Sequence, residues 1–392
     1  MPVKVHPGSR GAIVGHKHEN MSLLQKLLQI NWGLVLLVLT LSGIGLGMLY
    51  SAANGNFDPW ASRQAVRLAG GCIIMLVVAL VDIRFWFKCS YLFYFGALIL
   101  LIGVEVMGSV GMGAKRWINL GVIQLQPSEL MKIAIVMALA RYFHGVSAEN
   151  IRRPLMLIVP LLMVAAPSVL VLKQPDLGTT VLLIMASGAV FFCAGVRLWK
   201  FVLVAVAGMA AIPVGWQFLK PYQQNRVLTF LDPEKDPLGT GYNIIQSKIA
   251  LGSGGVSGKG FLQGTQSHLN FLPEKQTDFI FTMLAEEFGM IGALALLGIY
   301  ILVLIYGMAI SARARNQYAR LLALGLTTNL FLYVFINMAM VMGLVPVVGV
   351  PLPLISYGGT VMLTILIGIG LVMSAWVHRD IRIPRHGVVE GA

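Results

Sequence analysis

NFLPEKQTDFIFTMLAEEFGMIGALALLGIYILVLIYGMAI, residues 270–310, passes from a polar loop into a long apolar run. From Phe279 to Ile310 the run exceeds the about 20 residues that a helix needs to cross a hydrocarbon core. It also lacks the period of two that a membrane β-strand shows. It reads as a transmembrane helix whose first turns lie at the interface, because one untilted span would not use its full length. Glu274, Lys275, Asp278, Glu286 and Glu287 cluster at this seam in a chain that is only 11% charged. Charge beside hydrocarbon is costly. The cluster is therefore either an interfacial anchor that stops the helix from sliding inward or a reaction centre facing water at the lipid boundary.

The rest of the chain has the same character. It is 57% hydrophobic over 392 residues, and its mean hydropathy of +0.80 excludes an ordinary soluble globule. The formal net charge of +13 is what positively charged cytoplasmic loops produce, and no nucleic-acid partner is implied. Cys72, Cys89 and Cys193 are scattered in or beside apolar segments without metal-ligand spacing and read as packing residues.

The fold expected is an all-α polytopic membrane protein with ten transmembrane helices. Residues 1–30 read as a flexible cytoplasmic tail without the features of a signal peptide, 31–378 as the membrane domain and 379–392 as a second cytoplasmic tail. The expected spans are 32–52, 66–83, 91–107, 127–144, 155–172, 179–195, 201–218, one within 279–310, 321–342 and a last one ending near Trp376. Gly43 and Gly47 form a G-x-x-x-G pair expected to let another helix approach closely. Lys and Arg concentrate in the short inner loops, which places both termini in the cytoplasm and 219–277 outside as one long extracytoplasmic loop between spans seven and eight.

Within that loop Ile244, Ile245, Ile249 and Leu251 suggest a short helix lying on the membrane surface. The glycines that follow do not bind a nucleotide. A P-loop ending at Gly258 and Lys259 would need glycine at Ser253 and a hydroxyl at Gly260, and the dinucleotide pattern fails at Gln263. They read as a closely approachable backbone near an anionic headgroup. Other outer segments repeat the pairing of basic and acidic residues. Lys115 and Arg116 precede span four, Glu129 and Lys132 share a face of that span at i,i+3, and Asp176 lies between Pro175 and Gly178. Asp176 reads as a turn residue or as part of the same site as the seam cluster. An outward basic cavity of this kind suits an anionic substrate.

QPSELMKIA (126–134), KQPDLGT (173–179), the run 241–289 and PVVGVPLPLISYGG (346–359) resemble the SEDS family of shape, elongation, division and sporulation proteins. The likeness covers nearly all spans. It implies a peptidoglycan glycosyltransferase that polymerises lipid II, an undecaprenyl-pyrophosphate-linked disaccharide pentapeptide, onto a growing glycan strand at the outer face of the cytoplasmic (inner) membrane. The family's essential aspartate falls on Asp278, its Glu and Lys at the start of span four on Glu129 and Lys132, and its QPD aspartate on Asp176. Thr360, where the family usually has Ser, is a conservative departure.

Glycan extension needs a base for the acceptor hydroxyl, while the donor leaves as a pyrophosphate that needs cations more than a proton. One carboxylate among basic groups then suffices, unlike the pair in glycosidases. Asp278 is expected to be that base or to bind a divalent cation, Mg or Mn, that orients the diphosphate. Lys115, Arg116, Lys132, Arg226 and Lys275 are candidate phosphate contacts, and Glu274 adjoins the site. No S-x-x-K, S-D-N and K-T-G set is present for crosslinking. The resemblance therefore implies a class B penicillin-binding protein as partner, together with other elongation-complex membrane proteins. A lipid II flippase and a non-catalytic scaffold are the rival readings.

Overall fold

Ser22 and Gln25 cap each other's backbone at 3.3 and 3.1 Å, a reciprocal box that starts a helix. Leu23–Gln29 is accordingly helical (α1), where the sequence reading expected flexible tail. The computed structural model describes residues 21–107, 109–111, 114–119, 124–151, 153–218, 221–232, 241–269, 271–272 and 274–384. Most of both expected tails lies outside the described residues.

The first hairpins are α2 (Trp32–Ala52), α3 (Ala61–Leu80) and α4 (Ile83–Met107). α4 begins earlier than the expected third span, because the only break after α3 is the short turn at Val81 and Asp82. A small antiparallel sheet of β1 (Ser109–Gly111), β2 (Ala114–Asn119) and β3 (Gln124–Leu125) follows, with Val110 opposite Lys115 and Ile118 opposite Leu125. This sheet is an addition to the all-helical expectation. Next come α5 (Pro127–Gly145), α6 (Ala148–Ile151), α7 (Ile158–Lys173), α8 (Leu177–Ala194) and α9 (Leu198–Phe218). The long loop carries α10 (Pro221–Leu231), α11 (Tyr242–Ser253) and α12 (Thr265–His268), before α13 (Ile280–Arg313), α14 (Gln317–Val341) and α15 (Gly359–Val377).

Among the described residues, eight helices are long and apolar enough to cross a membrane. The expected ten also counted α5 and α9. α5 carries Glu129, Lys132 and Arg141, and the apolar part of α9 is Leu198–Ala211. α5, α14 and α15 form the centre. Every residue of α5 from Met131 to Ala140 is buried, and α14 is buried almost all round, as a helix apolar on every face must be. At Gly325 of α14 an added Cβ would stand 2.6 Å from Val136 of α5 and 2.7 Å from Val190 of α8, so the missing side chain is what lets three helices meet. The Gly43 and Gly47 pair does not serve this way, since both face open space. Gly45, between them, packs on the backbone of Leu354 and Ile355.

α11 forms where expected but lies differently. Its buried positions are Ile244, Ser247 and Ala250, and Ser247 hydrogen-bonds Thr282 of α13 at 2.8 Å and the Val341 carbonyl at 2.7 Å. The helix is thus held to protein along that stripe, and Ile249 is exposed. Among the glycines after it, Gly254 and Gly258 pack on the backbone of α13, whereas a Cβ at Gly252 or Gly255 would meet open space. Gly289 has φ 65° and ψ −162° and breaks α13 nine residues after its start. The 255–260 backbone splints the break: Lys259 and Gly260 donate to the Glu286 and Glu287 carbonyls at 3.1 and 2.9 Å, and Met290 and Ile291 donate to Gly255 and Val256 at 3.0 and 3.1 Å.

Gly258 has φ +80°, and its missing Cβ would fall on the Glu287 carbonyl. Gly258→Ala should cost about 1–3 kcal/mol from backbone conformation alone, before the clash is counted. Its thermal unfolding midpoint in detergent should fall clearly below that of Gly252→Ala, whose Cβ meets open space. Equal midpoints would show that the splint does not constrain the fold.

Candidate active site

The seam before α13 is held through its backbone. The Gln276 carbonyl accepts from the Tyr357 N–H at 2.8 Å, the Thr277 carbonyl from Ser356 Oγ at 2.6 Å and the Asp278 carbonyl from Asn337 Nδ2 at 2.9 Å. The proline-rich return and α14 thus capture successive carbonyls, and the Asp278 side chain is left half-buried. Gly349 of the return has φ +69°, and a Cβ there would stand 3.5 Å from Asp278 Oδ2. The positive φ is what calls for glycine there, since at 3.5 Å a Cβ would be in ordinary contact with the carboxylate.

The same return reaches the second carboxylate. At Gly178 of α8 a Cβ would stand 2.8 Å from the Val348 carbonyl, one residue before Gly349. Asp176 caps α8, accepting from the Thr179 N–H at 3.1 Å and its hydroxyl at 2.9 Å. That is the turn role, but Asp176 has others. Gln126 Nε2 lies 3.5 Å away, and Arg116 Nη1 lies 3.7 Å from Oδ2. Arg116 also donates to the Gln174 and Pro175 carbonyls at 3.1 and 2.5 Å.

Glu129 and Lys132 pair at 2.7 Å, both buried. Tyr333 of α14 completes them, donating to Glu129 Oε2 at 2.5 Å and bonding to the Lys132 amine. Pro127 in the first turn of α5 gives up an N–H that helix geometry leaves unpaired anyway, and Glu129 lies in that turn. Tyr333 and Asn337 stand at i,i+4 on one face of α14, so a single helix braces both the buried ion pair and the Asp278 backbone.

The other members of the seam cluster bond within the protein. Glu286 is fully buried and accepts from Lys259 Nζ at 2.8 Å, the Gln266 N–H at 2.9 Å and Ser267 Oγ at 2.7 Å. Glu287 pairs with Ser51 and with His268 Nε2 at 3.2 Å. They clasp the loop to α13 and α2. Lys275 is buried and donates to the Ser267 carbonyl at 2.8 Å, and burial pushes its pKa down. Glu274, at φ +53°, turns its carboxylate back onto Thr277 Oγ1 at 3.1 Å. The side chains of Lys115, on β2, and Arg226, on α10, lie outside the described residues.

Tyr333, Asn337, Ser356 and Tyr357 were not singled out from sequence, nor was Arg67 of α3, whose guanidinium lies 4.9 Å from the centre of the Tyr357 ring. An asparagine in an apolar run such as Asn337 is a signal, since a buried amide needs partners. Nothing in the sequence says which.

The chain is 45% identical over 340 residues to "Peptidoglycan glycosyltransferase MrdB" of Escherichia coli (strain K12), covering 85% of this chain and 91% of the relative. It is 32% identical over 418 residues to "Peptidoglycan glycosyltransferase RodA" of Treponema pallidum, covering 87% and 96%. Among solved structures, a chain from "Structural coordination of polymerization and crosslinking by a peptidoglycan synthase complex" matches with a TM-score of 0.77 at 36% identity, over 89% of this chain and 98% of that one. The Thermus thermophilus rod shape determining protein RodA matches with a TM-score of 0.68 at 29% identity, over 89% and 97%. The family model described as "Cell cycle protein", which joins FtsW, RodA and SpoVE, matches residues 26–381, and this multi-pass membrane protein therefore belongs to the SEDS family.

Proposed function

We propose that this protein is a peptidoglycan glycosyltransferase that polymerises lipid II into β-1,4 glycan strands at the outer face of the cytoplasmic membrane during cell elongation. The observation that carries the reading is the half-buried Asp278 carboxylate on a seam whose consecutive carbonyls are all captured. Such a carboxylate is presented in a fixed direction, as a general base must be. In the reaction it takes the proton from the acceptor sugar hydroxyl, whose oxygen attacks the anomeric carbon of the donor. The bond from that carbon to the diphosphate breaks, and the diphosphate leaves as an anion. In-line attack inverts the centre, turning an α-linked donor into a β-linked strand.

The leaving anion needs cations. Lys132 is committed to Glu129 and Tyr333, and Lys275 to the Ser267 carbonyl. They act as supports. Arg116, beside Asp176 and partly exposed, and Arg67, over Tyr357, are the described guanidinium groups placed to meet phosphate. No group of three or more His, Cys, Asp or Glu among the described residues is placed to hold a metal ion. A Mg or Mn ion held there would keep phosphate and water as most of its ligands, with Asp278 as a carboxylate ligand. Such an ion would neutralise diphosphate charge.

The solved complex that coordinates polymerisation and crosslinking supports a class B penicillin-binding protein as partner, within an assembly of other elongation proteins. Lysine and arginine placement supports cytoplasmic termini. The test is the purified protein with its transpeptidase on purified lipid II. We expect strands that a β-1,4 muramidase digests. Lipid II carried across liposomes without polymer would establish the flippase instead, and partner binding with neither activity would establish the scaffold.

A further inference from the structure

We infer that Asn337 of α14 is a positioning residue for Asp278, clamping the seam to the proline-rich return; this rests on the reading of Asp278 as the base. Asn337 is fully buried, and its Nδ2 donates both to the Asp278 carbonyl at 2.9 Å and to the Val350 carbonyl at 2.7 Å. Both neighbours are acceptors, so only the amine end of the amide can face them. One planar group thereby joins the residue that bears the carboxylate to the strand of chain that passes beside it at Gly349. The opposite end, Oδ1, is buried without a hydrogen-bond partner. A side chain there for packing alone would be apolar and would leave no such atom. Each peptide unit is planar, so holding the Asp278 oxygen fixes the plane on one side of its Cα. Ser356 does the same from the other side through the Thr277 carbonyl.

The inference is specific to the donor end. Asn337→Ala removes both hydrogen bonds, and Ser356→Ala removes the parallel one, which keeps the test open should the first variant fail to fold. Asn329→Ala is the control: the same helix, also buried, also with an unpartnered Oδ1, but with no bond to the seam. In lipid II polymerisation, we expect Asn337→Ala to lower kcat at least tenfold with KM changed less than twofold. We expect Asn329→Ala to leave both near wild type. Deuterium uptake by a peptide covering 274–281 should quicken severalfold in Asn337→Ala and Ser356→Ala, and not in Asn329→Ala.

Unchanged kcat in Asn337→Ala while Asp278→Ala is inactive would overturn the inference and leave the functional reading standing. So would unchanged uptake at the seam. If the wild-type protein makes no polymer at all, the functional reading fails, and the uptake experiment still decides whether Asn337 holds the seam.

Discussion

Asp278→Asn is expected to reduce lipid II polymerisation by about 10²- to 10⁴-fold, the range over which a positioned general base contributes, with Asp278→Ala at least as low. The amide keeps the size of the carboxylate and cannot take a proton. Both variants should fold normally, because Asn337 of α14 holds this residue by its main-chain oxygen, and that bond does not depend on the Asp278 side chain. Matching thermal unfolding midpoints beside lost polymer would place the chemistry on the carboxylate. Polymerisation by Asp278→Asn within threefold of wild type would remove proton transfer at this residue from the mechanism.

The second large effect is on stability. Lys132 is 1% exposed and Glu129 4%, and their 2.7 Å bond lies inside the bundle. Lys132→Met leaves a carboxylate without its counter-ion, which costs about 3–5 kcal/mol when a buried pair loses one partner. Tyr333 still donates to Glu129 and offsets only part of that loss. The double variant Glu129→Gln with Lys132→Met removes both charges and should recover a good share of the lost stability. Thermal unfolding in detergent reads both. A single variant as stable as wild type, or a double variant worse than the single, would contradict a stabilising role for this buried pair, which Tyr333 ties to α14.

Much of this architecture was legible because membranes impose simple rules. Apolar length located the helices, and the excess length of the 279–310 run suggested interfacial first turns, but nothing in it marked the break that Gly289 makes. Side-chain partners were another matter. Glu286 and Glu287 follow Asp278 by only eight and nine residues yet bond to the loop and to α2, because a helix turns successive residues by about 100° and nearness in sequence says nothing of direction. The glycine pair at Gly43 and Gly47 had the right spacing but the wrong phase, and Gly45 met the neighbour. Tyr333 and Asn337 sit in a helix that is apolar on every side, where periodicity marks no preferred face. What they hold comes from segments far away in the chain, which only the folded arrangement brings together.

The splinted break at Gly289 acts as a depth stop. With its backbone bonded to the loop on both sides of the break, the joint cannot bend freely. From Met290 to Arg313 the helix runs about 36 Å at 1.5 Å per residue, enough to traverse a hydrocarbon core of about 30 Å. With that length across the core, the short piece from Ile280 to Phe288 would ride at the headgroup level, and Asp278 with it. The chain thus sets the height of its carboxylate above the lipid tails by covalent length and a rigid elbow, so that a substrate anchored in those tails meets it at a constant elevation.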